Sequence, residues 1–151
     1  LVSGVAIIKV GASTDVEMIE RKHRIEDALE AVAAAQEEGI VPGGGLALVN
    51  CRHFKDDDLL GDKLTGAQIL RNSLVGPLKQ MSKNANLSHE VILSKIDESD
   101  QGIGWNFATG ELVDMCANGI IDPVKVTRNA LTNAVSVSST LITTAAAVIE
   151  E

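Results

Sequence analysis

Residues 37–45 read Glu-Glu-Gly-Ile-Val-Pro-Gly-Gly-Gly, and this stretch decides how the chain is organised. Gly39 stops a helix arriving from the N-terminal side. Pro42 and the three glycines that follow permit positive φ and close backbone approach before a second helix runs through Leu46, Leu48 and Val49. Upstream, Thr14-Asp15-Val16-Glu17 is a capping-box pattern, in which the hydroxyl and the carboxylate satisfy orphan N–H groups. The spacing predicts a long helix from Asp15 to Glu38, with Ile25, Leu29 and Val32 on one face. Glu17 with Arg21 and Glu20 with Arg24 support it as i,i+4 pairs. Ahead of this helix, residues 4–10 are rich in β-branched side chains, close with Gly11 and predict a strand, so the chain is expected to begin inside a strand.

Downstream of the glycines, a helix is expected from Asp62 to Lys83, with Leu70, Leu74, Leu78 and Met81 on one face and a kink at Pro77. Ser88 can cap a short helix through Ile96. Residues 103–107 and 111–113 flank Ala108-Thr109-Gly110 as a small β-hairpin. Asp122-Pro123 supplies an N-cap and a first-turn proline for a last long helix. Val124, Leu131, Val135, Ser138, Ile142, Ala145 and Ile149 recur along it at helical spacings. Its Ser, Thr and Val content gives weak intrinsic propensity, so packing by neighbours must hold it. The expected fold class is mainly α and multihelical, with two small β elements.

Composition narrows the function. The chain has 151 residues, 13 Lys+Arg against 21 Asp+Glu, a formal net charge of −8 and a pI near 4.8. That length suits one domain, or one and a part of another. The acidic balance speaks against nucleic acid, whose phosphates need clustered Lys and Arg. Aromatics are limited to Trp105, Phe54 and Phe107, too few for a base-stacking platform. Cys51 and Cys116 lack CxxC spacing, which argues against a disulfide framework or zinc and makes buried, reduced thiols the expectation. His23, His53 and His89 are scattered, and Asp56-Asp57-Asp58 lacks the interleaved ligands of a calcium loop and reads as a solvated turn, so no metal site is expected in the chain. No apolar run reaches membrane-span length, the N-terminal residues lack a signal-peptide pattern, and no membrane role is expected.

Several separated motifs then agree in order. Val5 to Gly11, Arg24-Ile25-Glu26-Asp27-Ala28-Leu29, and Glu37 to Gly45 resemble the group I chaperonins, the ring-forming bacterial and organellar ATP-driven folding machines. The resemblance runs on through Gly76-Pro77-Leu78, Gly104-Trp105-Asn106, Gly119 to Arg128 and Leu141-Ile142-Thr143-Thr144, and so covers essentially the whole chain. It implies the C-terminal part of a subunit. Residues 1–38 would be the C-terminal segment of the intermediate domain with the end of the apical connection, and 39–151 the C-terminal half of the equatorial ATPase domain. The family's Gly-Pro-Lys-Gly and Asp-Gly-Thr-Thr-Thr phosphate segments do not occur here. The resemblance places them, with the main Mg2+ ligands, in an N-terminal half of that domain, and it places the apical domain that binds non-native polypeptide and co-chaperonin outside this stretch as well.

The resemblance also implies residue roles. Asp27 matches the family's catalytic acid residue, a carboxylate that orients a water against the γ-phosphate of ATP and takes its proton. Glu26 lies about 100° away around the helix and does not substitute. Gly44 matches a nucleotide contact. Without a following Lys-Ser or Lys-Thr the glycine run is no P-loop. Asn106, Phe107 and Ala108 match a hairpin lining the base and ribose, where Phe107 replaces a usual small residue. Strand alternation sets Trp105 and Phe107 on one face and Asn106 on the other. Asp122 matches a ribose ligand, a role compatible with capping because a carboxylate has about four acceptor sites. The implied protein is a ring of identical subunits, an ATP hydrolase located in the bacterial cytoplasm or else in a mitochondrial or plastid matrix, with this stretch inactive alone. Another reading of the residues is a non-catalytic helical scaffold or stand-alone module.

Overall fold

The computed structural model describes residues 4–146 and 148. In chain order the elements are α1 (Asp15–Glu38), β1 (Ile40–Pro42), α2 (Leu46–Cys51), α3 (Asp62–Ser73), α4 (Gly76–Asn84), α5 (His89–Asp97), β2 (Ile103–Asn106), β3 (Glu111–Asp114), β4 (Ile121–Pro123) and α6 (Val124–Ile142). They fall into two compact units. One comprises the residues up to Gly39 together with those from Lys125 onward, and the other is Ile40–Val124. The architecture is mainly helical, as expected.

In the first unit, α1 has the expected bounds. The Thr14 hydroxyl accepts from the Glu17 N–H at 3.2 Å. The Glu17 carboxylate reaches back to the N–H of Ser13 at 3.2 Å, one residue earlier than the reciprocal capping bond. Gly39, at φ +85, ends the helix and donates to the Ala35 carbonyl. Residues 4–10 form no strand. A strand needs a partner edge, none of the described residues pairs with them, and Val5 and Ile7 lie in the open. Arg21 instead holds this segment by donating to the Gly11 carbonyl at 2.9 Å. Two ion pairs join the end of α1 to the start of α6. Lys125 meets Glu37, and Arg128 grips Glu38 through two bonds, Nε to Oε2 at 3.0 Å and Nη2 to Oε1 at 2.6 Å.

Helix α6 begins at Val124 and ends at Ile142, so Ala145 lies beyond it, and Ile149 falls outside the described residues. Four threonines, two within α6 and two just past its end, donate to carbonyls one turn back. Thr132 donates to Arg128, Thr140 to Ser136, Thr143 to Ser139 and Thr144 to Thr140, at 2.8–3.1 Å.

The second unit holds the core of Leu46, Val49, Leu78, Ile92, Ile96 and Met115, with Trp105, Phe107, Val113 and Ile120 packed against it. The helix expected over 62–83 is two helices, α3 and α4, divided at Leu74–Val75. Pro77 has no N–H and its ring crowds the carbonyl four residues back, at Ser73, where α3 ends. In the first turn of α4 neither defect matters. Leu74 and Leu78 are buried as the periodicity predicts. Ser88 flanks α5 without a side-chain capping bond.

The hairpin pairs β2 with β3, Gly104 opposite Val113 and Asn106 opposite Glu111. A second antiparallel pair, β1 with β4, sets Val41 opposite Asp122 and Pro42 opposite Ile121. Both cysteines are exposed rather than buried. Cys51 lies about 200° around α2 from buried Val49, and Cys116 sits in the turn after β3. Asp56 leaves the expected solvated turn to pair with Arg71 at 2.9 Å, while Arg71 also donates to the Arg52 and Phe54 carbonyls at 3.0 Å.

Candidate functional site

The β1–β4 pair brings the glycine run beside Asp122. Gly43 follows β1 and donates to the Ile120 carbonyl at 2.9 Å. A Cβ on Gly43 would stand 3.1 Å from the Ile120 and Ile121 backbone, so any other residue here would require that backbone to give by a few tenths of an ångström. Gly44 and Gly45 then take φ of +62 and +76, the left-handed region that side chains avoid. Leu46 donates to the Gly43 carbonyl as α2 opens, and the N–H groups of Gly44 and Gly45 make no hydrogen bond among the described residues. These two donors face no internal acceptor and can serve a ligand oxygen. Helix α2 has only six residues, so its dipole adds little and the backbone donors carry the site.

The hairpin supplies a second piece. Trp105 and Phe107 share the core-facing side, as strand alternation predicts, though β2 ends at Asn106 and Phe107 belongs to the turn. Asn106 Oδ1 accepts from the Ala108 N–H at 2.9 Å, and the Asn106 carbonyl accepts from Gly110 at 2.8 Å. This Asx turn fixes the Asn106–Ala108 segment and leaves the two Nδ2 donors of Asn106 uncommitted among the described residues. The Trp105 indole N–H is buried without an acceptor, and Lys95 lies 5.0 Å over its ring.

Asp122 is exposed in β4. It does not act as a helix N-cap, because Pro123 also belongs to β4 and α6 starts only at Val124. Its carboxylate is therefore free of the capping duty the sequence suggested. Gly44, Asn106, Phe107, Ala108 and Asp122 thus belong to one compact unit. Two clefts of that unit lie elsewhere. One, about 450 Å³, is lined by Lys79, Lys83 and His89; the other, about 270 Å³, by Asn50, His53 and Asp97. The candidate residues are half-buried or exposed and line neither cleft.

Asp27 belongs to the first unit, exposed in the middle of α1. It makes no hydrogen bond or ion pair among the described residues, while its neighbour Glu26 pairs with Lys22 at 3.1 Å. No group of three or more His, Cys, Asp or Glu side chains among the described residues could hold a metal ion. Sequence reasoning missed Met115 and Ile120, which support the glycine run from behind. Ile120 could have been noticed only as an apolar residue after Gly119, and nothing in the sequence marked Met115.

The chain is similar in structure to a group III chaperonin in the open state, with a TM-score of 0.81 and 29% identity over 92% of this chain and 30% of that one. It also matches the open-state monomer of a group II chaperonin from Methanococcoides burtonii, with a TM-score of 0.71 and 24% identity over 87% of this chain and 35% of that one. The chain spans about a third of the length of these two solved chaperonins. The model of the TCP-1/cpn60 chaperonin family matches residues 2–151. This chain belongs to the TCP-1/cpn60 chaperonin family.

Proposed function

We propose that this chain is the C-terminal part of an ATP-hydrolysing, group I chaperonin subunit and forms one wall of its nucleotide site. The observation that carries this reading is that Gly44, Asn106–Ala108 and Asp122 lie in one compact unit, with backbone donors and a carboxylate that have no partner among the described residues. Gly44 and Gly45 would meet phosphate oxygens through their N–H groups. The Asn106–Ala108 turn would line the base and ribose, with Phe107 narrowing that side. Asp122 would accept from ribose hydroxyls.

Hydrolysis would fall to Asp27. Its carboxylate orients a water in line with the γ-phosphorus and takes the water's proton as the new P–O bond forms and the bond to the leaving diphosphate oxygen breaks. Carriage on a rigid helix suits a carboxylate that hinge motion brings into the site only when nucleotide is bound. Mg2+ would be held mainly by residues outside this chain. The proposed domain assignment is 1–38 intermediate and 39–151 equatorial; the compact units also part at Gly39 and Ile40, whereas the residues from Lys125 onward fall in the unit of α1 and not with Ile40–Val124. The whole protein would work as a ring of identical subunits that encloses non-native polypeptide under a co-chaperonin, in the bacterial cytoplasm or an organellar matrix. The motif order supports the group I assignment. Stimulation or restraint of the full-length ATPase by a group I co-chaperonin would bear it out, and indifference would count against it.

The deciding experiment is a titration with labelled ADP and Mg2+, of this chain and of the full-length subunit. Saturable binding to the full-length protein that Asp122→Ala abolishes is the expected result. Binding unchanged by both Asp122→Ala and Gly44→Val would refute the site. Binding by the chain alone would make it a competent half-site.

A further inference from the structure

The geometry points to Met115 as a positioning residue that sets the spacing between the glycine run and the base-side hairpin; this rests on the nucleotide reading above. Met115 is almost wholly buried, yet two glycines are shaped around it. A Cβ on Gly44 would stand 2.7 Å from Met115 Cε. A Cβ on Gly104, in β2, would stand 2.8 Å from Met115 Cγ and 2.9 Å from its Sδ. Cβ atoms essentially never come that close to a neighbour, so the thioether, whose flexible end would have to shift, fills the volume a side chain at either position would need. One flexible side chain is therefore wedged between the loop that offers phosphate donors and the strand that leads into Asn106.

Its backbone continues the link. The Met115 N–H donates to the Gly102 carbonyl at 3.1 Å, just before β2. The Met115 carbonyl accepts from Ile120 at 2.8 Å, and the Ile120 carbonyl accepts from Gly43 at 2.9 Å. The turn between them is closed by Asp114, whose Oδ1 accepts from Ala117 at 2.8 Å and whose carbonyl accepts from the N–H and the side chain of Asn118. Hairpin, glycine run and β4 with Asp122 are thus joined in series through residues 114–120. Met115 is where the side-chain wedge and the backbone chain meet. Buried packing of this kind holds binding groups in position without touching the ligand.

The test uses the full-length subunit and labelled ADP with Mg2+. Met115→Ala is expected to weaken ADP binding about tenfold, the low end for loss of a residue supporting a site. Met115→Leu, near in volume, should restore most of that loss. Ile92→Ala, a cavity in the same core away from the glycines, should lower the melting temperature comparably and leave ADP affinity at the wild-type level. Equal ADP affinities for Met115→Ala and Ile92→Ala at equal thermal loss would overturn the proposal. Should Met115→Ala not fold, Gly104→Ala pushes on the thioether without opening a cavity. It should weaken ADP binding and be relieved by adding Met115→Val, and an unchanged affinity in Gly104→Ala would overturn the proposal. Asp122→Ala serves as the independent arm. If it too leaves binding unchanged, the nucleotide reading itself has failed; if it abolishes binding while Met115→Ala behaves like Ile92→Ala, only the role of Met115 has.

Discussion

Asp27 stands exposed on α1 with no partner among the described residues, so its removal disturbs little else there. In the full-length protein, Asp27→Ala is expected to lower ATP turnover by about 10²–10⁴ and to spare nucleotide binding, the usual scale for losing general-base help. Steady-state phosphate release beside an ADP titration checks it, and an unchanged rate would remove Asp27 from the mechanism. Gly44 behaves oppositely. Gly44→Ala meets both a positive φ and the Met115 methyl, and should destabilise the second unit by about 1–3 kcal/mol in thermal unfolding. The glycine run was legible as a turn between a helix stop and a helix start, and its nucleotide role was suggested only by resemblance. Asp27 was legible only through resemblance, since one carboxylate on an exposed helix looks like any other. Met115 was not legible at all, because its importance lies in what two distant glycines leave empty around it.

At the scale of elements, the joint between α1 and α6 titrates. Its hydrogen bond to Arg128 holds the Glu38 carboxyl below the ordinary value of 4.5, and Arg128 is raised in turn by the same bond. A carboxylate lowered by folding adds stability that is complete above its ordinary value and lost as the pH falls through the lowered one. The difference in melting temperature between the wild type and Glu38→Gln should therefore be flat near neutrality and close in acid. A difference that grew in acid would contradict the pairing. In the core, Leu78→Ala should cost about 2–5 kcal/mol by chemical denaturation, as cavities at such buried sites do. Helix α1 could be read to its last residue from a capping box and a terminal glycine. The α3–α4 break could be placed only near Pro77, because the chain ends its ladder where the proline ring crowds a carbonyl one turn earlier. The β1–β4 pair was hidden, since strands of three residues carry no periodicity and their partners lie some eighty positions apart. The expected strand at 4–10 failed for the complementary reason: β propensity without an edge to pair with makes no strand.

For the molecule as a whole, much apolar surface is uncovered. Leu29 and Val32 on α1, and Val137, Leu141 and Ile142 on α6, are all exposed. Surfaces of this kind seek partners, and the isolated chain is expected to associate. Light scattering with size exclusion should show species larger than 15.9 kDa, and a clean monomer at high concentration would contradict this. The overall fold class was legible because helix signals dominate the sequence, whereas the grouping of the last helix with the first was not, being set by ion pairs between side chains far apart in the chain. The threonines of α6 and the two that follow it bear on that association. By sequence the helix end reads as polar, yet Thr132, Thr140, Thr143 and Thr144 already spend their protons on carbonyls of the preceding turn. What such a threonine offers a neighbour is its methyl group. Those four threonines can leave water without stranding a donor, so hydropathy scales undervalue them as contact residues.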